Sequence, residues 1–380
     1  MTFLLTVIYQ PNRNFSVLIA SKKSLTVART HLPPLDEYVS YLREIWEEGQ
    51  VTNNGPLARQ LEQRLQRYLE VPHVQFVSNG TVALQLALNA LELKGDIITT
   101  PYSYVATSNA IHWEGCRPVF VDVDPRSLCI DPALIEEKIN QDTTAILATH
   151  VYGYPCDVHA IAQIAEKHQL KVIYDGAHAF GVRVDGTSIY EYGDVSTISF
   201  HATKVFHTIE GGAVITHDAE LNERVFLSKA FGHRADDHFR VGINGKNSEL
   251  HAAMGLCNLP VIDEMIHYRR YLSECYSAQL AELPIRSFQP DDLLTYNYSY
   301  FPVLLEDFNT MQRVKKALED QHIFPRRYFY PALNQLPYHQ GEPCPVAEDA
   351  AGRVLCLPLY HTLEEEEVDT VVSIIRQTLQ

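Results

Sequence analysis

Seven short apolar runs between Val74 and Thr216 constrain this chain more than any other feature. They are Val74 to Ser78, Asp96 to Thr100, Pro118 to Val123, Ala145 to His150, Val172 to Asp175, Val195 to Phe200 and Ala213 to Thr216. Helical patterns, including Val158 to His168, lie between several of them. Strands alternating with helices predict a mostly parallel sheet covered on both faces, hence an α/β fold. Upstream, apolar residues at 57, 61, 65, 68 and 69 mark an amphipathic helix, and Ala219 to Phe231 and Ser248 to Leu259 read as helices downstream. From about Ile266 the pattern changes to a long helix, a strand-like run from Tyr298 to Leu305, a helix near Thr310 to Asp320, a loop rich in Pro and aromatic residues, and a terminal helix after Thr362. That predicts a small α+β domain. With 380 residues, 46% of them hydrophobic, the chain can bury one large core and a second, smaller one.

Ligands of open α/β sheets bind beyond the carboxyl ends of the strands, so the residues there carry the functional signal. One strand ends at Asp175. Another runs into Ser199-Phe200-His201-Ala202-Thr203-Lys204, followed by Glu210-Gly211-Gly212. A third runs into Asn79-Gly80-Thr81, which opens an apolar helix from Val82 to Leu91. The free N–H groups and positive dipole end of that helix favour a phosphate. A lysine amine can hold an aldehyde as a Schiff base and then shuttle a proton. A carboxylate beside a pyridine nitrogen keeps the ring protonated and electron-withdrawing. Lysine, aspartate and phosphate turn together point to pyridoxal 5'-phosphate.

The same motifs, in order, resemble the DegT/DnrJ/EryC1/StrS family of sugar aminotransferases. The resemblance runs from about Leu25 onward through Val51-Thr-Asn-Asn-Gly-Pro, Ser78-Asn-Gly-Thr, Pro101-Tyr-Ser-Tyr-Val-Ala-Thr, Asp175-Gly-Ala-His, Ser199-Phe-His-Ala-Thr-Lys and Glu210-Gly-Gly. It implies aminotransferase fold type I, with residues 25–265 as the cofactor-binding large domain, 266–380 as the small domain and 1–24 as an extension outside the family. It also implies a role for individual residues. Lys204 is the catalytic lysine, Asp175 the partner of the pyridine nitrogen, and His178 a neighbour of the phenolic oxygen. Gly80, Thr81 and Ser199 bind the phosphate, and Tyr104 stacks on the ring. Asn244, in Gly242-Ile-Asn-Gly-Lys246, reaches the cofactor phosphate of a neighbouring subunit, which makes a homodimer with shared sites. Lys246 departs from the arginine usual there, and a lysine lacks the planar bidentate grip of a guanidinium. Arg326 and Tyr330, in the loop with Arg327 and Tyr328, are expected to meet the substrate.

The reaction so implied moves an amino group from glutamate, through pyridoxamine phosphate, to a keto carbon of a nucleotide-linked sugar. The resemblance, particularly over Phe200-His-Ala-Thr-Lys-Val-Phe-His-Thr-Ile-Glu-Gly-Gly, implies amination at C4 of dTDP-4-keto-6-deoxyglucose, for surface polysaccharide synthesis. Amination at C3 is the alternative, and a non-catalytic cofactor- or sugar-binding regulator is the alternative from another class. A dehydratase of this fold carries histidine in place of the lysine, and Lys204 argues against it.

Composition narrows the partners. A formal charge of −16 without a basic run argues against nucleic acid and anionic membrane surfaces, so an anionic ligand must be met by local donors. Seven scattered Cys have neither CxxC pairing nor zinc-site spacing. Reduced thiols and a cytoplasmic location are expected. The apolar run Phe3 to Tyr9 lacks the basic flank and cleavage site of a signal peptide, and is too short to span a bilayer.

Overall fold

The computed structural model describes residues 24–288, 290, 294–339 and 341–380. Apart from Ser24, the extension expected over 1–24 lies outside the described residues. The main sheet has seven strands, numbered here β1 (His73–Val77), β2 (Asp96–Thr99), β3 (Arg117–Phe120), β4 (Thr143–Thr149), β5 (Lys171–Asp175), β6 (Val195–Ser199) and β7 (Gly212–Thr216). Their spatial order is β1-β7-β6-β5-β4-β2-β3. All neighbouring pairs are parallel except those of β7, which runs antiparallel to both β1 and β6.

Period-two alternation sorts the strand residues into two cores. Val77, Ile97, Ala145, Leu147, Ile173, Val195 and Val214 face one side, where they pack with helices Gly80–Ala90, Val105–Trp113 and Ala219–Lys229. Phe76, Ile98, Ile146, Ala148, Val172, Ile198 and Ile215 face the other, against helices Pro56–Leu69 and Val158–His168. Both faces are therefore dry, as the continuous apolar strand runs require. Helix starts are set by polar caps: Asn79, Asp157 and Asp218 each accept an N–H from the first helical turn.

The C-terminal part has its own core. Helices Ile262–Leu280, Phe308–Glu319 and Glu365–Leu379 cover a three-stranded antiparallel sheet of Arg286–Ser287, Phe301–Leu304 and Val354–Leu357. Helix Ile262–Leu280 is continuous across position 265. Leu25–Thr26, counted with the large domain from sequence, pairs in parallel with Ile323–Phe324 and so joins this second part. Short strands of two residues carry little periodicity, and only their partners reveal where they belong. No described helix is long and apolar enough to cross a membrane.

Candidate active site

A cavity of about 710 Å³ opens at the carboxyl ends of β1, β4, β5 and β6. Its walls include Gly80, Thr81, Tyr104, Asp175, His178, Ser199, Lys204 and Arg326. Eight of the ten residues expected from sequence thus converge on one space. The remaining two lie elsewhere in their own chain. Asn244 is exposed beside Lys246, whose Nζ donates to its Oδ1 over 2.8 Å. Tyr330 is half exposed and lies over the Arg327 guanidinium, 3.4 Å from ring centroid to carbon.

The phosphate turn is built by close approach. Asn79 caps its helix by accepting the Val82 N–H over 2.9 Å, which leaves the N–H groups of Gly80 and Thr81 at the open end. A Cβ at Gly80 would sit 2.8 Å from the Ser199 Cβ, so a glycine is needed for the helix start to meet the end of β6. Gly212, the second glycine after Glu210, serves the same contact from the other side. A Cβ at Gly212 would lie 2.7 Å from the Asn79 carbonyl carbon.

Lys204 stands on a loop closed by Phe200 N–H to Gly211 O and Thr208 N–H to Phe200 O, at 2.8 and 2.9 Å. Its Nζ lies 6.0 Å from the Tyr300 ring centroid. Burial lowers the ammonium's pKa, while Asp175, Tyr328 and Tyr104 oppose that shift. Asp175 ends β5 and is buried. Burial raises its pKa, and hydrogen bonds from Thr107 and the Ala177 N–H, with the charge of Lys204, pull it back. His178 accepts the Tyr152 N–H at Nδ1 over 3.2 Å, so its proton sits on Nε2 when neutral. Burial and Lys204 hold its pKa well below the ordinary range. Its ring stacks on Phe329 at 5.6 Å and meets Tyr300 edge-on at 4.8 Å. Tyr104, just before helix Val105–Trp113, is 60% exposed at the cavity wall.

This donor set fits pyridoxal phosphate. A helix N-terminus with adjacent hydroxyls suits a dianionic phosphate. A buried carboxylate on the same cavity wall suits a protonated ring nitrogen, and a half-buried lysine with a lowered pKa suits an aldehyde.

The sequence signature of the DegT/DnrJ/EryC1/StrS aminotransferase family matches residues 35–376. The chain belongs to this family. A relative from Shigella dysenteriae, a dTDP-4-amino-4,6-dideoxy-D-glucose transaminase, is 44% identical over 364 residues, covering 94% of this chain and 99% of its own. The solved structure of DesI in the presence of its TDP-sugar product superposes with a TM-score of 0.90 at 31% identity, over 94% of this chain and 93% of that one. The NtdA structure from Bacillus subtilis, with bound cofactor PMP, gives 0.85 at 30% identity, over 91% and 82%. The fold, the family and the aminotransferase class anticipated from sequence therefore stand.

Family motifs missed part of the cavity. Beside Tyr328 of the expected entrance loop, Tyr300 and Phe329 from the C-terminal part line the same space. Nothing local marks them, because many tyrosines of this chain are ordinary core residues. His201 and Glu210, inside a recognised motif, also face the cavity, with Nε2 and Oε1 3.6 Å apart. Ser103 and Thr107 sit in the motif around Tyr104 and bond toward Asp175.

Proposed function

We propose that this chain transfers an amino group from glutamate to C4 of a nucleotide-linked 4-keto-6-deoxyhexose, with dTDP-4-keto-6-deoxyglucose as acceptor. End-to-end similarity to the Shigella transaminase carries the choice of sugar and carbon. The product would serve surface polysaccharide synthesis in the cytoplasm, where the free cysteines of this chain stay reduced.

Pyridoxal phosphate, when bound, supplies an aldehyde to carry the amine and an electron-withdrawing ring that stabilises charge at the substrate carbon. In our reading the protein does the rest. The N–H groups of Gly80 and Thr81, with the hydroxyls of Thr81 and Ser199, hold the phosphate. Asp175 keeps a negative charge at the ring nitrogen. The Tyr104 ring holds the cofactor plane, and His178 donates from Nε2 to the phenolic oxygen. Lys204 moves the proton. Burial raises the share of neutral Lys204 amine, the form that can accept one. Arg326 meets the diphosphate at the entrance.

Asp175→Asn is expected to lower turnover by about 10²-fold while cofactor content stays near normal, since phosphate anchoring is untouched. Paired measurements of kcat and bound cofactor check this, and near-normal turnover rules out the role. The substrate itself is tested by supplying glutamate and a panel of nucleotide keto sugars, with NMR of the product. An amine at C3 moves the chain to the alternative regiochemistry.

The homodimer reading rests on the segment around Asn244. Phe231, Phe239, Val241 and Ile243 are exposed there, Val241 by 85%. A second copy would cover them and receive Asn244 at its own phosphate turn. Mixing Lys204→Ala with Asn244→Ala subunits, the latter impaired alone, should then restore activity. One composite site of each heterodimer collects both defects and the other collects neither. Random exchange is expected to return about a quarter of wild-type activity. No recovery despite demonstrated exchange would place Asn244 in its own chain's service.

A further inference from the structure

Behind the cavity, four side chains form one hydrogen-bonded line. Thr149 Oγ1 donates to Ser103 Oγ over 3.1 Å, Ser103 Oγ and Thr107 Oγ1 lie 2.7 Å apart, and Thr107 Oγ1 donates to Asp175 Oδ2 over 2.7 Å. The elements are separate in sequence. Ser103 and Thr107 flank the start of helix Val105–Trp113, while Thr149 and Asp175 are register partners at the ends of β4 and β5. Each hydroxyl has a single proton to give. An ionised carboxylate only accepts, so Thr107 donates to Asp175, accepts from Ser103, and Ser103 accepts from Thr149. The charge on Asp175 thereby sets the direction of the whole line.

We propose that Thr107, backed by Ser103 and Thr149, is a positioning residue that keeps Asp175 ionised and aimed at the cofactor's ring nitrogen. The proposal rests on the reading of Asp175 given above. Among the described residues, Thr107 is the only side chain that hydrogen-bonds this carboxylate. Its other partners are the Ala177 N–H, 3.1 Å from Oδ1, and the charge of Lys204. Lys204 cannot be relied on, because in the proposed reaction its ammonium loses and regains a proton. Thr107 and Ser103 are fully buried, so water does not replace a lost donor. Burial of a carboxylate favours its neutral form, and a neutral acid would no longer hold the ring protonated.

The test uses the full chain with two cofactors: pyridoxal phosphate, and its 1-deaza analogue, in which C–H replaces the ring nitrogen. Thr107→Val keeps the shape and removes the hydroxyl. It is expected to bind pyridoxal phosphate about tenfold more weakly and the analogue as wild type does, and Thr107→Ser should restore the difference. In the holoenzyme carrying ¹⁵N-labelled cofactor, the ring nitrogen signal should move toward its unprotonated position in Thr107→Val only. Equal weakening of both cofactors reduces Thr107 to packing and overturns the proposal, as does no change in either. If Thr107→Val does not fold, Ser103→Ala, which leaves Thr107 in place, carries the test with an expected loss of about threefold for pyridoxal phosphate alone. Equal wild-type affinity for the two cofactors would overturn the reading of Asp175 itself. Wild-type discrimination that persists unchanged in Thr107→Val overturns only the role of Thr107.

Discussion

Replacing Lys204 by alanine is expected to cut turnover by about 10⁴-fold while the protein still binds its cofactor. The argument starts from position. Lys204 is the lysine that lines the cavity, and its loop is tied to both ends of the β6–β7 connection, so its amine cannot be replaced by a neighbour. Phosphate turn, Asp175 and Tyr104 are all untouched by the substitution, which leaves the anchoring contacts in place. The amine, by contrast, is the group that both carries the aldehyde and relays the proton. Single-turnover measurements with glutamate, beside cofactor content after dialysis, separate these two effects. Borohydride reduction of the wild-type protein should fix the cofactor to Lys204 in a peptide map. Label on another lysine, or turnover within about tenfold of wild type in the alanine variant, would remove Lys204 from its role.

Removing the nucleotide from the acceptor should be nearly as damaging, with kcat/KM falling by roughly 10³-fold. A keto sugar alone offers few groups to grip, whereas the nucleotide and diphosphate lie far from the reacting carbon and can fix its position. Their binding energy is then available to orient the ketone. In a chain of net charge −16, that binding must come from local donors. Arg326 is the described arginine that lines the cavity, and its backbone is held by paired bonds to Cys356 at 3.2 and 2.7 Å. Arg327 is already engaged, donating to the carbonyls of Ala351 and Gly352. Arg326→Ala should therefore weaken use of the nucleotide sugar roughly tenfold and spare the half-reaction with glutamate. Efficient amination of the free sugar, or a preference for ordinary 2-keto acids, would move the chain out of sugar metabolism.

The two arginines show where reading the sequence alone stops. Arg326 and Arg327 are adjacent and chemically identical, and one faces the cavity while the other pins the helix Pro345–Arg353 through backbone carbonyls. Only the path of the chain distinguishes them. Tyr330 illustrates the same limit, since its ring lies over the Arg327 guanidinium and not at the cavity wall.

What the sequence by itself determined is local. Runs of apolar residues announced each strand of the main sheet, Asn79-Gly80 announced a strand-to-helix turn, and Asp175 and Lys204 announced their own strand ends. Each of these signals spans a few residues, and side-chain period and capping chemistry act over that range. The tertiary structure decided what stands beside what. β7 inserts antiparallel between β1 and β6, yet the helix after β1 still presses Gly80 against Ser199. Thr107 finds Asp175 across 68 residues, and Tyr300 and Phe329 arrive from the C-terminal part of the chain to line the cavity. These contacts leave no periodic trace, because they arise where separately specified elements pack, and packing depends on the shape of both partners rather than on the sequence of either.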